Sequence, residues 1–392
     1  MKILSVNAGS SSLKFTLFEM PEEKELISGV FERIGIENSF YTIKLNGEKI
    51  KKEAVLRSHT DAVKILTQEL LDNNIVEDLS EIKAIGHRMV HGGEKYASSV
   101  LLTDEVIKTV EELSDLAPLH NPANLVGVRA FMEVIPDAVS VGVFDTAFHQ
   151  TMEEDKYLYS VPYEWYEDYG VRKYGFHGTS HKYVSQKMAE ILGKSDAKII
   201  TCHIGNGGSL AAVKDGKCID TSMGFTPNAG IIMGSRSGDI DASLIPYVMK
   251  KSGMSISDID TALNKKSGLL GISGVSSDSR DIEDGIKSGN SRCELAQKMY
   301  VDKIVNYIAM YYVELGGADA IVFTAGVGEN SISTRKQIVE KLDCLGIKLD
   351  EERNNVRGKE ALISSDDSKV LVYVIPTNEE LMIATDTYNL AK

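Results

Sequence analysis

Lys2-Ile-Leu-Ser-Val-Asn7-Ala-Gly9-Ser10-Ser11-Ser12-Leu-Lys14-Phe-Thr-Leu-Phe18 opens the chain, and Lys198-Ile-Ile-Thr-Cys-His203-Ile-Gly205-Asn206-Gly207-Gly208-Ser209-Leu210-Ala-Ala-Val213-Lys214 repeats its pattern near the middle. In each stretch two apolar, alternating runs flank a turn of small residues and hydroxyls, the pattern of a β-hairpin whose tip presents backbone N–H groups. Such a tip can hold a phosphate. Small residues let a polyphosphate approach the main chain, Ser10 and Ser12 add donors, Lys14 adds positive charge, and Asn7 can meet a metal-bound water. One Gly/Ser turn alone is commonplace. Two of them in matching contexts imply duplicated halves, each with one phosphate-binding hairpin.

A third loop strengthens this. Ala320-Ile-Val-Phe-Thr324-Ala-Gly326-Val-Gly328-Glu329-Asn330-Ser331 reads as a buried strand, a glycine turn and a helix start, an arrangement suited to a nucleotide. The chain of 392 residues is long enough for two domains with separate cores. Its 26% charged and 43% hydrophobic residues are globular values, and the formal net charge of −14 argues against nucleic acid or an anionic membrane as partner. Cys202, Cys218, Cys293 and Cys344 have no CxxC spacing, which fits a reduced cytoplasmic protein. The first residues lack a basic region followed by a long apolar run, and no segment approaches the roughly 18 apolar residues of a membrane helix.

Between the glycine loops, polar residues collect where apolar strands end. Ile82 to Ile85 reads as a strand running into a loop, Gly86-His-Arg88-Met-Val90-His-Gly-Gly-Glu94, and Val139 to Phe144 as a strand ending at Asp145-Thr-Ala-Phe-His149. Strand ends are where α/β folds place ligands, although Asp145 also suits a helix cap and a lone Arg88 suits a surface loop. Ala117-Pro-Leu119-His120-Asn-Pro122 reads as a two-proline turn. The aromatic stretch from Tyr157 to Tyr174 marks the crossing into a second domain and leads to Tyr174-Gly-Phe176-His177-Gly-Thr-Ser-His181. His177 and His181 lie one helical turn apart, but no HExxH glutamate stands between them, so zinc is discounted. Gly234-Ser-Arg236-Ser-Gly-Asp239 supplies a second loop arginine, and Gly271 to Arg280 a loop in which Asp278 and Arg280 could meet a base or sugar. Helices are expected over His59 to Leu71 and Glu294 to Leu315, and from Glu379 to Leu390, the last capped by Thr377 or Asn378.

Three glycine loops at strand ends, two related by duplication, resemble the α/β fold shared by actin, the heat-shock ATPase domain and the sugar kinases, a duplicated ribonuclease H-like architecture in which two halves close on a nucleotide. Ile3 to Lys14, Arg88 to Glu94, Asp145 to His149, Tyr174 to His181, His203 to Gly208, Gly234 to Asp239, Ala325 to Asn330 and Asn378-Glu379-Glu380 together resemble the acetate kinase family from end to end. The resemblance implies reversible transfer of the ATP γ-phosphoryl group to acetate with Mg2+, for which Mn2+ can substitute. It implies domains at 1–149 plus 382–392 and at 150–381, and a homodimer formed through the second.

By the same resemblance Arg88 and Arg236 flank the transferred group, His177 donates to it, His120 supports them and Asp145 carries a proton donor or acceptor role, for which a positioning role is the preferred reading. Planar guanidinium suits equatorial phosphoryl oxygens. Acetate is already ionised, so no general base is required. Asn7 and Glu379 hold the metal through oxygen. The nucleotide lies on His203, Ile204, Gly205, Asn206 and Gly207, on Asp278, Ser279 and Arg280, and on Gly326, Val327, Gly328, Glu329 and Asn330, with Lys14 near the phosphates. Val90, Leu119, Phe176 and Pro227 form a small apolar pocket that favours acetate over longer acids. A propionate or butyrate kinase, a nucleotide-gated binding protein and a sugar kinase are the competing readings. The second leaves both arginines and His177 without a purpose, and the third lacks polar residues for sugar hydroxyls.

Overall fold

A computed structural model describes residues 1–392, which divide into two compact units, Met1–Gln150 with Asn378–Lys392, and Thr151–Thr377. The return to the first unit comes at Asn378, four residues before the expected 382. Asn378 already belongs there because its side chain caps the C-terminal helix (Glu379–Ala391), accepting from the Leu381 N–H at 3.0 Å.

In the first unit the opening pattern becomes β1 (Lys2–Ala8) and β2 (Ser12–Glu19), paired antiparallel from Lys2↔Glu19 to Ala8↔Leu13. β3 (Lys24–Glu32), β4 (Phe40–Leu45) and β5 (Glu48–Glu53) extend it outward, with Asn46 and Gly47 turning at φ 52° and 86°. β6 (Ile82–Met89), β7 (Val100–Leu101) and β8 (Val139–Phe144) complete a sheet of order β5-β4-β3-β2-β1-β6-β8-β7. Period-two alternation splits β1 between two faces. Leu4 and Val6 pack beneath α1 (His59–Asp72) and α2 (Asn121–Val134), while Ile3 packs with Ala84 and Ala384 of the C-terminal helix.

Two local expectations need correction. β6 does not stop at Ile85 but continues to Met89, so Arg88 stands on a strand, paired with Val143, and not in a loop. Gly86 misleads because it serves close packing: a Cβ there would lie 2.2 Å from Thr387 Oγ1 and 2.6 Å from Ile383 Cγ2 of the C-terminal helix. The two-proline turn conceals the start of α2. Pro122 sits in its first turn, where the missing N–H costs nothing.

Burial of His87 and His91 makes this unit acid-sensitive. Burial pushes the His87 imidazole down to about 3 and the His91 imidazole down to about 4. Folded rings therefore stay neutral while unfolded rings take up protons near 6.5. For these two rings the unfolded state binds more protons, so their contribution is full above pH 6.5 and falls as pH drops below it, by about 1.4 kcal/mol per pH unit for each ring. The Glu379 carboxyl of the same unit, pushed up to about 7, offsets part of the loss. Denaturant unfolding at pH 7.0 and 5.5 is expected to show this loss, and His87→Leu to reduce it; a slope unchanged in that variant would refute the assignment.

The second unit repeats the plan. β9 (Lys198–Ile204), β10 (Gly208–Lys214), β11 (Lys217–Thr221), β12 (Ala320–Thr324), β13 (Ala361–Leu362) and β14 (Leu371–Val374) form a sheet of order β11-β10-β9-β12-β14-β13. β9–β10 is the second hairpin, and β9, β12 and β14 run parallel as β1, β6 and β8 do. Thus β3-β2-β1-β6-β8 and β11-β10-β9-β12-β14 are the same arrangement made twice. On one face of β9, Ile200, Cys202 and Ile204 pack in a core with Tyr300, Ile304 and Ile308 of the long helix Ser291–Glu314. On the other face Thr201 and His203 meet α3 (Gly178–Leu192).

The expected loop at Gly271 to Arg280 instead runs into α4 (Ser279–Lys287), with Asp278 as its N-cap. Gly285 in its middle hides this helix from the sequence, and packing requires it: a Cβ would lie 2.5 Å from Cys293 Sγ. No helix is long and apolar enough to cross a membrane.

Candidate active site

In the first unit the parallel strands β1, β6 and β8 bring Asn7, Arg88 and Asp145 together at their carboxyl ends. Arg88 donates from Nε to Asp145 Oδ1 at 3.1 Å and from Nη2 to Oδ2 at 2.6 Å, a two-pronged pairing that fixes the guanidinium plane. Its Nη1 donates to Asn7 Oδ1 at 3.4 Å. Asp145 is only 2% exposed, and its charge raises the pKa of Arg88 further. Both Asp145 oxygens thus accept from the arginine and hold its plane.

Glu379 opens the C-terminal helix of the same unit. Burial pushes its carboxyl up to about 7, with Arg88 opposing the shift. Its neighbour Glu380 forms an ion pair with Lys14. Ser10 is exposed and Ser12 partly so, at a turn closed by the Gly9 N–H donating to the Ser12 carbonyl at 2.9 Å. Val90 is buried, and its N–H donates to Asn124 Oδ1 at 3.1 Å. Leu119 is 74% exposed, and His120 beside it is exposed at the start of α2. Asn124 was not singled out by its sequence. Its Nδ2 also donates to the Ala8 carbonyl at 2.8 Å, tying the end of β1 to the segment after Arg88; only its place in the first turn of a helix after Pro122 hinted at this.

In the second unit His177 precedes α3 with φ 58°, a left-handed conformation that residues with a Cβ seldom adopt. Phe176 beside it is buried, and the preceding Tyr174 and Gly175 N–H groups donate to the Gly224 carbonyl at 3.1 and 3.2 Å. The His177 ring stacks on His203 at 4.1 Å between centroids. Arg236 reaches the same place. A Cβ at Gly207 would lie 3.4 Å from Arg236 Nη1 and 3.8 Å from His177 Nε2, so glycine there leaves both groups room. Arg236 Nη1 donates to the Pro227 carbonyl at 3.1 Å, no carboxylate pairs with it, and burial lowers its pKa.

The expected nucleotide segments converge in this unit. Gly205, Asn206, Asp278, Ser279, Arg280, Gly326, Val327 and Asn330 line one cavity of about 530 Å³. Asp278 and Arg280 pair with each other, and the arginine side chain is 86% exposed. Glu329 turns back, accepting from the Ala325 N–H at 2.8 Å and the Thr377 N–H at 3.1 Å, so it braces its loop. Arg335, missed in the sequence as one more helix cation, is fully buried and donates to the Gly328 carbonyl at 2.9 Å and to both Asn354 and Val356. Arg357, also missed, lines the cavity and donates to the Asn330 carbonyl.

Residues 2–385 match the family model described as the acetokinase family. The chain belongs to the acetokinase family. The acetate kinase of Bacillus subtilis (strain 168) is 57% identical over 393 residues, covering 100% of both chains. Among solved structures, Porphyromonas gingivalis acetate kinase superposes with a TM-score of 0.96 at 49% identity over 100% of both chains. A propionate kinase from Francisella tularensis superposes with a TM-score of 0.93 at 43% identity over 99% of each. As an acetokinase-family member the chain is a phosphotransferase, and its duplicated sheets are the actin-like ATPase architecture.

Proposed function

We propose that this protein transfers the γ-phosphoryl group of ATP to acetate, reversibly and directly, giving acetyl phosphate and ADP. The observation that carries the reading is Arg236, a half-buried guanidinium without a carboxylate partner, converging with His177 on the small-residue turn at Gly207. Phosphoryl transfer asks chiefly for positioning and charge neutralisation, and a partly desolvated cation that lacks a counter-ion provides the second. Arg88, held flat by Asp145, binds the carboxylate of acetate and then the equatorial oxygens. His177 donates to the same oxygens. His120 supports them, and Val90, Leu119, Phe176 and Pro227 limit the size of the acid.

ATP or ADP lies along His203 to Gly207, Asp278 to Arg280 and Gly326 to Asn330, its phosphates near Ser10, Ser12 and Lys14. Asn7 and Glu379 suit Mg2+. Both offer hard oxygen donors, the Glu379 carboxyl is desolvated, and no group of three or more His, Cys, Asp or Glu side chains is placed to hold a metal, so phosphates and waters would complete the shell. When bound, the ion neutralises charge on the β- and γ-phosphoryl oxygens. Work on ATP with four free cysteines suits the cytoplasm. Exposed Trp165, Tyr169, Tyr247 and Ile256 favour a homodimer through the second unit.

The likeness to a propionate kinase favours one second reading. An added methylene is worth only about 1–3 kcal/mol, so propionate is expected as a poorer substrate. The deciding experiment traps acyl phosphate with hydroxylamine in the presence of ATP, Mg2+ and acetate. Hydroxamate equal to the ADP formed is expected; ATP hydrolysis without hydroxamate would indicate a nucleotide-gated binding protein instead.

A further inference from the structure

Behind His177 runs a line of hydrogen-bonding side chains that the reading above does not use. His177 Nδ1 is 2.8 Å from Ser209 Oγ, Ser209 Oγ is 2.8 Å from His181 Nε2, and His181 Nδ1 is 2.7 Å from Thr201 Oγ1. Ser209, His181 and Thr201 are each 0% exposed. Register explains the alignment. In the β9–β10 ladder Ser209 lies opposite His203 and Ala211 opposite Thr201, so these side chains share the sheet face that α3 covers with His181.

Such a line can be polarised in two ways, because a neutral imidazole has one donor and one acceptor nitrogen. In one, the Thr201 hydroxyl donates to His181 Nδ1, His181 Nε2–H donates to Ser209, the Ser209 hydroxyl donates to His177 Nδ1, and His177 carries its hydrogen on Nε2. In the other, Thr201 turns its hydrogen to the Ala211 carbonyl, every link reverses, and His177 presents a bare Nε2 lone pair. The two contain the same number of hydrogens. The 2.7 Å Thr201–His181 contact fits either polarity, and the Ala211 carbonyl at 3.4 Å is a long alternative acceptor for Thr201; the first polarity is the one in which His177 can donate from Nε2 to a phosphoryl oxygen.

We propose that Thr201, His181 and Ser209 are positioning residues that hold His177 as its neutral Nε2–H tautomer, ready to donate to the transferring phosphoryl group. One neighbour supports the neutral form: the Arg236 cation shares the Gly207 face, so a second positive charge on His177 would be repelled. A neutral donor contributes a directed hydrogen bond and leaves the arginine's charge undiminished. The inference rests on the reading that His177 meets the phosphoryl group.

The test combines ¹⁵N spectra of histidine-labelled protein with kinetics, His177 being assigned from the spectrum of His177→Gln. The native protein is expected to show His177 protonated at Nε2 and unprotonated at Nδ1. Thr201→Val, isosteric and remote from substrate, is expected to mix the tautomers and lower kcat about tenfold, with KM for ATP and acetate within about twofold; Thr201→Ser restores both. An imidazolium or an Nδ1–H tautomer in the native protein overturns the proposal. So does native kcat in both Thr201→Val and Ser209→Ala. The spectrum of the native protein decides even where a variant does not fold. Absence of acyl phosphate from the native protein would instead refute the preceding reading and leave the tautomer result standing.

Discussion

Arg236→Ala is expected to lower kcat for acyl phosphate formation by about 10³-fold or more, the scale on which an arginine acts on a transferring phosphoryl group, with little change in KM for ATP. The guanidinium is partly desolvated, its Nη1 donates only to neutral partners, the Pro227 carbonyl and the Met233 sulfur, and no carboxylate neutralises it. Its charge is therefore free to act when negative charge gathers on the equatorial oxygens. A contact made mainly in the transition state appears in kcat and kcat/KM together. Arg236→Lys should recover only part of the loss, since an ammonium is a point charge without the planar fork. Steady-state kinetics alongside ADP binding by fluorescence checks this. A kcat within tenfold of native, or a loss confined to KM for ATP, would assign Arg236 to nucleotide binding.

Arg88→Ala has a different signature, because Arg88 is one half of a largely buried pair. Removing it loses a carboxylate-binding fork, so kcat/KM for acetate should fall about 10³-fold. It also strands Asp145, whose two oxygens accept from Arg88 at 3.1 and 2.6 Å. Leaving one charge of a buried pair uncompensated costs about 3 kcal/mol. The double variant Arg88→Ala/Asp145→Asn should recover most of that stability and none of the activity. Thermal unfolding of both variants checks the first part and acetate kinetics the second. If Arg88→Ala is as stable as the native protein, the pair does not hold Asp145 as described.

Much of the architecture was readable because it rests on local, repeated patterns. The hairpins at Lys2–Glu19 and Lys198–Lys214 are apolar runs that turn on small residues, and their repetition marks the duplicated sheets without reference to any long-range contact. Errors arose where one residue served a distant partner. Gly86 looked like the start of a loop but is a strand residue that lets the C-terminal helix approach. Pro122 looked like a turn but begins a helix.

The candidate residues were legible as chemical types at strand ends, and the resemblance to a family supplied their roles. Their supports were not legible. Asn124, Arg335 and the line from Thr201 to Ser209 act through sheet register and helix packing, which bring together residues up to 116 positions apart. Asp278 and Arg280 were readable as loop residues able to meet a base or sugar, yet only the structure shows them bonded to each other at the start of a helix that Asp278 caps.

The most direct measurement is hydroxylamine trapping of acyl phosphate with ATP, Mg2+ and acetate, propionate or butyrate, on the native protein, Arg88→Ala and Arg236→Ala. The account predicts the highest kcat/KM with acetate, a lower value for propionate and a lower one still for butyrate, with both arginine variants losing orders of magnitude. Native-level hydroxamate from either variant, or none from the native protein with any of the three acids, would contradict it.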